Sequence, residues 1–412
     1  MANKDFYTPN DEGIIAEFDA VSVQNAIDAA AKSGCGKVVI PRMNVRTGGT
    51  KWEFDRTVYI PSDMTLILDN CFIYLADGVF CNVFCNSNIY TELGKTLEGE
   101  QHDIRILGIG NAVVDGGKYN GLHERNSLKD GMPHISLNTP FLFSNVRNFE
   151  VAGFRVSNQR WWGMTYVFCR NGHIHDLEFQ ADQSGKDPET GERRPDIVPK
   201  SWGDYYIRNA DGVDLRIGCN NITIENITGF TQDDTVALTA LTGFEKNVFV
   251  EEKPTDICRV FIKNIVSNSA NCANIRLTCG DGNKIHDIFI DGMIDTSAGK
   301  PYRASAAIRI DNHRYGKTKK AVHGDMTNVS INNVSTRAKA AVEVVGTVMN
   351  LAVQNIMLTE PDSYAISNFN IPTKLENVSL RAVYNSAEDH NKEPLGFTDT
   401  ECINVTTSDI YL

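Results

Sequence analysis

Positive charge is in short supply in this 412-residue chain. Forty Lys and Arg stand against 52 Asp and Glu, a formal net charge of −12. With no basic stripe to outweigh the acids, nucleic acid and anionic membrane surfaces are not expected as partners. No run approaches the ~18 consecutive apolar residues of a membrane span. The opening stretch MANKDFYTPNDEG has no apolar core of the signal-peptide kind, so a cytoplasmic location is expected, or a secreted one if a leader was trimmed. Ten cysteines are scattered without a C-x-x-C pair, Cys81 and Cys85 being nearest in sequence. They read as small core residues in a reducing compartment, not as a disulfide scaffold. Neither a metal nor a cofactor is expected.

Helical periodicity is also scarce. It is confined to VSVQNAIDAAAKSGCGKVVIP (21–41), an amphipathic helix, a Gly stop and then a strand. Elsewhere one short pattern recurs: NVRNFEVAGF (145–154), NITIENI (221–227), RVFIKNI (259–265), DIFIDGM (287–293), NVSINNV (328–334), NLAVQNI (350–356) and ENVSL (376–380). Each is an alternating strand closed by Asn or Gly. Short repeated strands with variable loops and no helices between them are the signature of a solenoid, here a parallel β-helix. The terminal helix (about 20–41) is then a cap on its open end. Asn tolerates the left-handed backbone of the turns, so the sequons at Asn221, Asn226, Asn328, Asn333, Asn377 and Asn404 follow from the repeat rather than from glycosylation. No linker divides the chain, and a single domain spanning 1–412 is expected. The polar stretch 180–206 reads as a long loop inserted between coils, of the kind that often serves function.

Coils of a β-helix stack about 4.8 Å apart, so equivalent residues form ladders. Taking Val213, Val236, Ile275, Ile308 and Val342 as one inward ladder places Asp211 and Asp234 two residues before their rungs, on neighbouring coils. Asp233 lies one residue further out. The next residue along gives a second ladder, Asp214, Ala237, Arg276, Arg309 and Glu343, which strand alternation turns outward. Its arginines can fork onto hydroxyls or an anionic group of a ligand, or can simply bridge coils. Trp162 aligns with Asp211 and offers a ring for a sugar face. His123, Glu124 and His134 in 121–136 are weaker candidates.

The motif NADGVD (209–214) followed by QDD (232–234), together with the opening helix and strand and the coils at 113–137 and 145–166, resembles the polygalacturonase-like glycoside hydrolases. That resemblance implies an all-β fold, a single-stranded right-handed parallel β-helix with an N-terminal capping helix. It implies inverting hydrolysis of glycosidic bonds in an oligo- or polysaccharide. It also implies catalytic roles for Asp211, Asp233 and Asp234, one acid protonating the leaving oxygen and the others activating water. The family's Asn-Thr-Asp motif has Ala210 at its Thr here. Its Gly-His-Gly coil corresponds to SANCANIRL without a histidine. Its Arg-Ile-Lys corresponds to Arg309-Ile310-Asp311, an acid in place of the lysine. Asp311 thus argues for a neutral or sparsely charged sugar. Asp214, Asp311 and His313 join Arg276, Arg309 and Trp162 as candidate substrate-binding residues. Three carboxylates so close must push at least one pKa upward. Other readings keep the β-helix and change the chemistry: a lyase, an epimerase, a glycan-rearranging transferase, or a non-catalytic glycan-binding solenoid.

Overall fold

The computed structural model describes residues 4–117, 139–159, 162–181, 210–243, 247–270, 272–300, 302–312, 319–368 and 371–412. The chain folds as the expected right-handed parallel β-helix, with one α-helix among the described residues. It divides into two compact units. One comprises the described residues up to Asp211 together with 247–253, and the other those of 212–243 and 254–412.

In the first unit the helix runs Asp19–Ser33 and stops at Gly34, whose φ of 75° is the left-handed turn that glycine adopts without strain. Val23, Ala26, Ile27 and Ala30, spaced as one helical face, are fully buried. The buried carboxylate of Asp19 anchors the helix start, accepting from Asn44 Nδ2 (2.8 Å), Arg46 Nε (2.7 Å) and the Glu53 N–H (2.8 Å). Strands Lys37–Ile40, Met64–Asp69, Gln101–Ile109, Val146–Ala152 and Arg170–Gln180 then pair in parallel, in chain order. A second face stacks Val58–Ile60, Phe84–Asn86, Phe141–Ser144 and Trp162–Val167.

The second unit repeats this plan. Its longer strands, from Asn220–Thr231 to Thr400–Tyr411, carry the inward ladder Ile222, Val260, Ile288, Val329, Leu351 and Val378. All six are buried, each such side chain being worth about 1.5–3 kcal/mol of transfer free energy. Its shorter strands, Val236–Ala240, Ala273–Cys279, Ala306–Asp311, Ala340–Val345 and Tyr364–Ser367, follow Asp211–Arg216 in the order expected of successive coils. Val213, Val236, Ile275, Ile308 and Val342 stand opposite one another as expected.

All six sequon asparagines have positive φ, between 52° and 58°. On the outer face of the bends, Asn350 donates to Asn328, Asn377 to Asn350 and Asn404 to Asn377, at 2.9–3.0 Å. The recurring Asn is therefore both a backbone requirement and a hydrogen-bond ladder.

Candidate active site

Asp233 and Asp234 occupy the bend between strands Asn220–Thr231 and Val236–Ala240. Buried hydroxyls fix the backbone there. Thr231 Oγ1 donates to the Asp233 carbonyl (2.8 Å) and lies 3.1 Å from Thr235 Oγ1, which in turn is 3.0 Å from Ser267 Oγ. The two carboxylates have different surroundings. Asp234 accepts from the Ala273 N–H through Oδ1 (3.0 Å) and faces Arg276 through Oδ2 (3.4 Å). Asp233 is 7% exposed, and its Oδ1 is buried without a hydrogen-bond partner. Burial, and then the charge of Asp234, push the Asp233 carboxyl up to about 7, against the lowering influence of Cys272, Arg276 and Arg309.

The outward ladder has the expected register: Asp214 opposite Ala237, then Arg276, Arg309 and Glu343. Its environment differs from an exposed face. Asp214, Arg309 and Glu343 are buried, because both faces of these short strands are covered. Each arginine has carboxylate partners. Arg276 reaches Asp311 Oδ2 with Nη2 (3.0 Å) besides Asp234. Arg309 Nε donates to Glu343 Oε2 (2.6 Å), and its Nη2 meets Ser305. The acid standing where the family has a lysine is thus a partner of Arg276.

Cys272 was read from sequence as one more small core residue. It is instead half-buried beside the acids: its Sγ and one oxygen each of Asp233 and Asp234 lie within 4.8 Å of one another. Arg309 Nη1 donates to the same sulfur (2.6 Å). Only its position in SANCANIRL, where the family carries histidine, could have marked it. The other nine cysteines are free thiols, six of them buried.

Two candidates lie in the first unit. Asp211 is buried at the head of strand Asp211–Arg216, and its carbonyl accepts from Gln159 Nε2 (3.3 Å). Trp162 is the part-exposed first residue of strand Trp162–Val167. His313, His123, Glu124 and His134 fall outside the described residues.

The site is thus a carboxylate pair followed by two arginines on successive coils of a parallel β-helix. The family model for glycosyl hydrolases family 28 matches residues 56–255. Among solved structures, it is similar to a family 28 exopolygalacturonase from Yersinia enterocolitica, with 15% identity, 98% of this chain and 77% of that one covered and a TM-score of 0.54. It is similarly close to PfbA, a surface adhesin of Streptococcus pneumoniae, with 14% identity, 98% and 90% covered and a TM-score of 0.53. At these identities the likeness is one of fold. No curated protein matches the chain in sequence.

Proposed function

We propose that the protein is an inverting glycoside hydrolase acting on a neutral or sparsely charged oligo- or polysaccharide. The observation that carries this reading is the inequality of Asp233 and Asp234. One carboxyl is buried, has an unpartnered oxygen and is pushed up to about 7; the other is met by an N–H and a guanidinium. A carboxyl kept protonated by burial and a neighbouring acid can supply the proton that a leaving glycosidic oxygen needs. Asp233 donates its proton to the glycosidic oxygen as the C–O bond breaks. A water attacks the opposite face of the anomeric carbon and gives up its proton to Asp234. Asp211 enters by the motif it shares with the family and would assist in activating the water.

The match to the family 28 model supports hydrolysis of a polysaccharide, and the ion pairs bear on which one. A uronate carboxylate needs an available cation. Arg309 is committed to Glu343, and Arg276 to Asp234 and Asp311. Removing an arginine from a buried pair to serve a substrate leaves an uncompensated carboxylate behind. A neutral sugar makes no such demand. The test is a screen of α-linked oligosaccharides with the product anomer followed by NMR. Release of the inverted anomer is expected. Release with retention, or no product from any neutral or acidic glycan, would overturn the reading.

A further inference from the structure

We propose that Glu150, His173 and His175 form a binding site for a divalent transition-metal ion on the outer face of the first unit, remote in function from the Asp233–Asp234 pair. Strands Val146–Ala152 and Arg170–Gln180 run parallel, and Glu150 stands directly opposite His173. His175 follows two residues later and so projects from the same face. One ligand atom from each of the three side chains lies within 4.8 Å of the others. The imidazole rings stack at 3.9 Å with 28° between their planes. At that spacing one ion can take a lone pair from each ring.

The surroundings are those of a ligand set held in place. His175 Nδ1 lies 2.7 Å from Asp176 Oδ2, and its Nε2 is 3.2 Å from Glu150 Oε1. A carboxylate on the far nitrogen of a ligating histidine fixes its tautomer and raises its basicity. The other Glu150 oxygen faces Arg105 Nε at 3.5 Å, which leaves Oε1 directed at the histidine. The backbone beneath is constrained as well. Phe149 stacks on Tyr166 at 5.0 Å, and any side chain at Gly172 would run into the Phe149 ring. Two imidazole nitrogens and one carboxylate oxygen suit Zn²⁺, Cu²⁺ or Ni²⁺ rather than Mg²⁺ or Ca²⁺.

The experiment is calorimetric titration of zinc chloride into untagged, chelator-stripped full-length protein. One saturable zinc per chain is expected. His175→Ala and Glu150→Gln should each weaken it by about tenfold or more. Among the described residues two further sets of potential ligands gather, Asp63 with His102 and Asp103, and Asp233 with Asp234 and Cys272; His102→Ala and Cys272→Ser should bind zinc as the parent does. The parent's melting temperature should rise with zinc concentration, and that of His175→Ala should not. Absence of saturable uptake, or uptake that survives both His175→Ala and Glu150→Gln, would overturn the proposal. So would loss of uptake in Cys272→Ser, which would place the ion at the Asp233–Asp234 cluster. If His175→Ala does not fold, Glu150→Gln decides alone.

Discussion

Asp233 gives the site a pH signature. Its folded pKa of about 7 lies above the ordinary carboxylate range because burial and then Asp234 disfavour its charge. A general acid works only while protonated, so kcat/KM on a cleaved glycan should fall as pH rises through about 7. Stability has the same sign. The folded state holds this proton more tightly than the unfolded state, so Asp233 subtracts stability as pH climbs from about 4 to 7. Asp233→Asn should cut turnover by about 10²-fold or more and remove this part of the stability slope. Asp211→Asn and Asp234→Asn should lower turnover comparably. Near-normal turnover in all three variants would sink the assignment. Arg309 makes a different prediction because its partner Glu343 is 1% exposed. Were the ladder solvated, losing the arginine would cost about 0–1 kcal/mol. Buried, Arg309→Ala strands the Glu343 charge and should cost about 3–5 kcal/mol in urea unfolding, with Glu343→Gln added to it recovering part of the loss. An Arg309→Ala chain as stable as the parent would show that the pair does not hold the coils together.

At the scale of the element, the repeat was legible because period-two alternation and Asn at each bend are local properties. The inward ladder from Val213 to Val342 could be aligned without coordinates, and the structure pairs those residues. The helix was legible too, although it begins at Asp19 rather than Val21. What alternation could not convey was burial of the outward face. It depends on what covers a strand, not on the strand's own sequence. The bends permit a direct test. Asn350 has φ 55° and bonds both Asn328 and Asn377. Asn350→Gly keeps the backbone at ease and loses the ladder, at about 0.5–1.5 kcal/mol per bond. Asn350→Ala loses the ladder and adds about 1–2 kcal/mol for a left-handed non-glycine residue. Urea midpoints should therefore rank parent above Gly above Ala at constant m-value. A Gly variant less stable than the Ala variant would mean that chain entropy, not the left-handed bend, sets the residue.

Across the whole molecule, contacts join residues far apart in the chain: Asp311 with Arg276, Arg309 with Glu343 and Cys272, Glu150 with His175; the ladder's register offered Arg309 and Glu343 as a coil bridge, and the others escaped sequence reading. The first three pairings bear on substrate choice. Asp311 was recognised in the sequence as a departure from the family's lysine, but that it takes up a guanidinium emerges only in three dimensions. Net charge acts in the same direction. A chain at −12 with a sequence pI near 5.3 repels a polyanion at neutral pH, and that repulsion is screened within about 10 Å at 0.1 M salt. Two separable outcomes follow for polygalacturonate. If long-range repulsion alone opposes it, raising salt should restore cleavage. If the committed arginines oppose it, salt should do little, and Asp311→Lys, which restores the family's basic residue, should raise kcat/KM on polygalacturonate relative to a neutral glycan. We expect the second result, because the ion pairs are buried and salt screens them weakly. Brisk cleavage of polygalacturonate by the unmodified protein at low salt would refute the neutral-substrate reading while leaving hydrolysis itself intact.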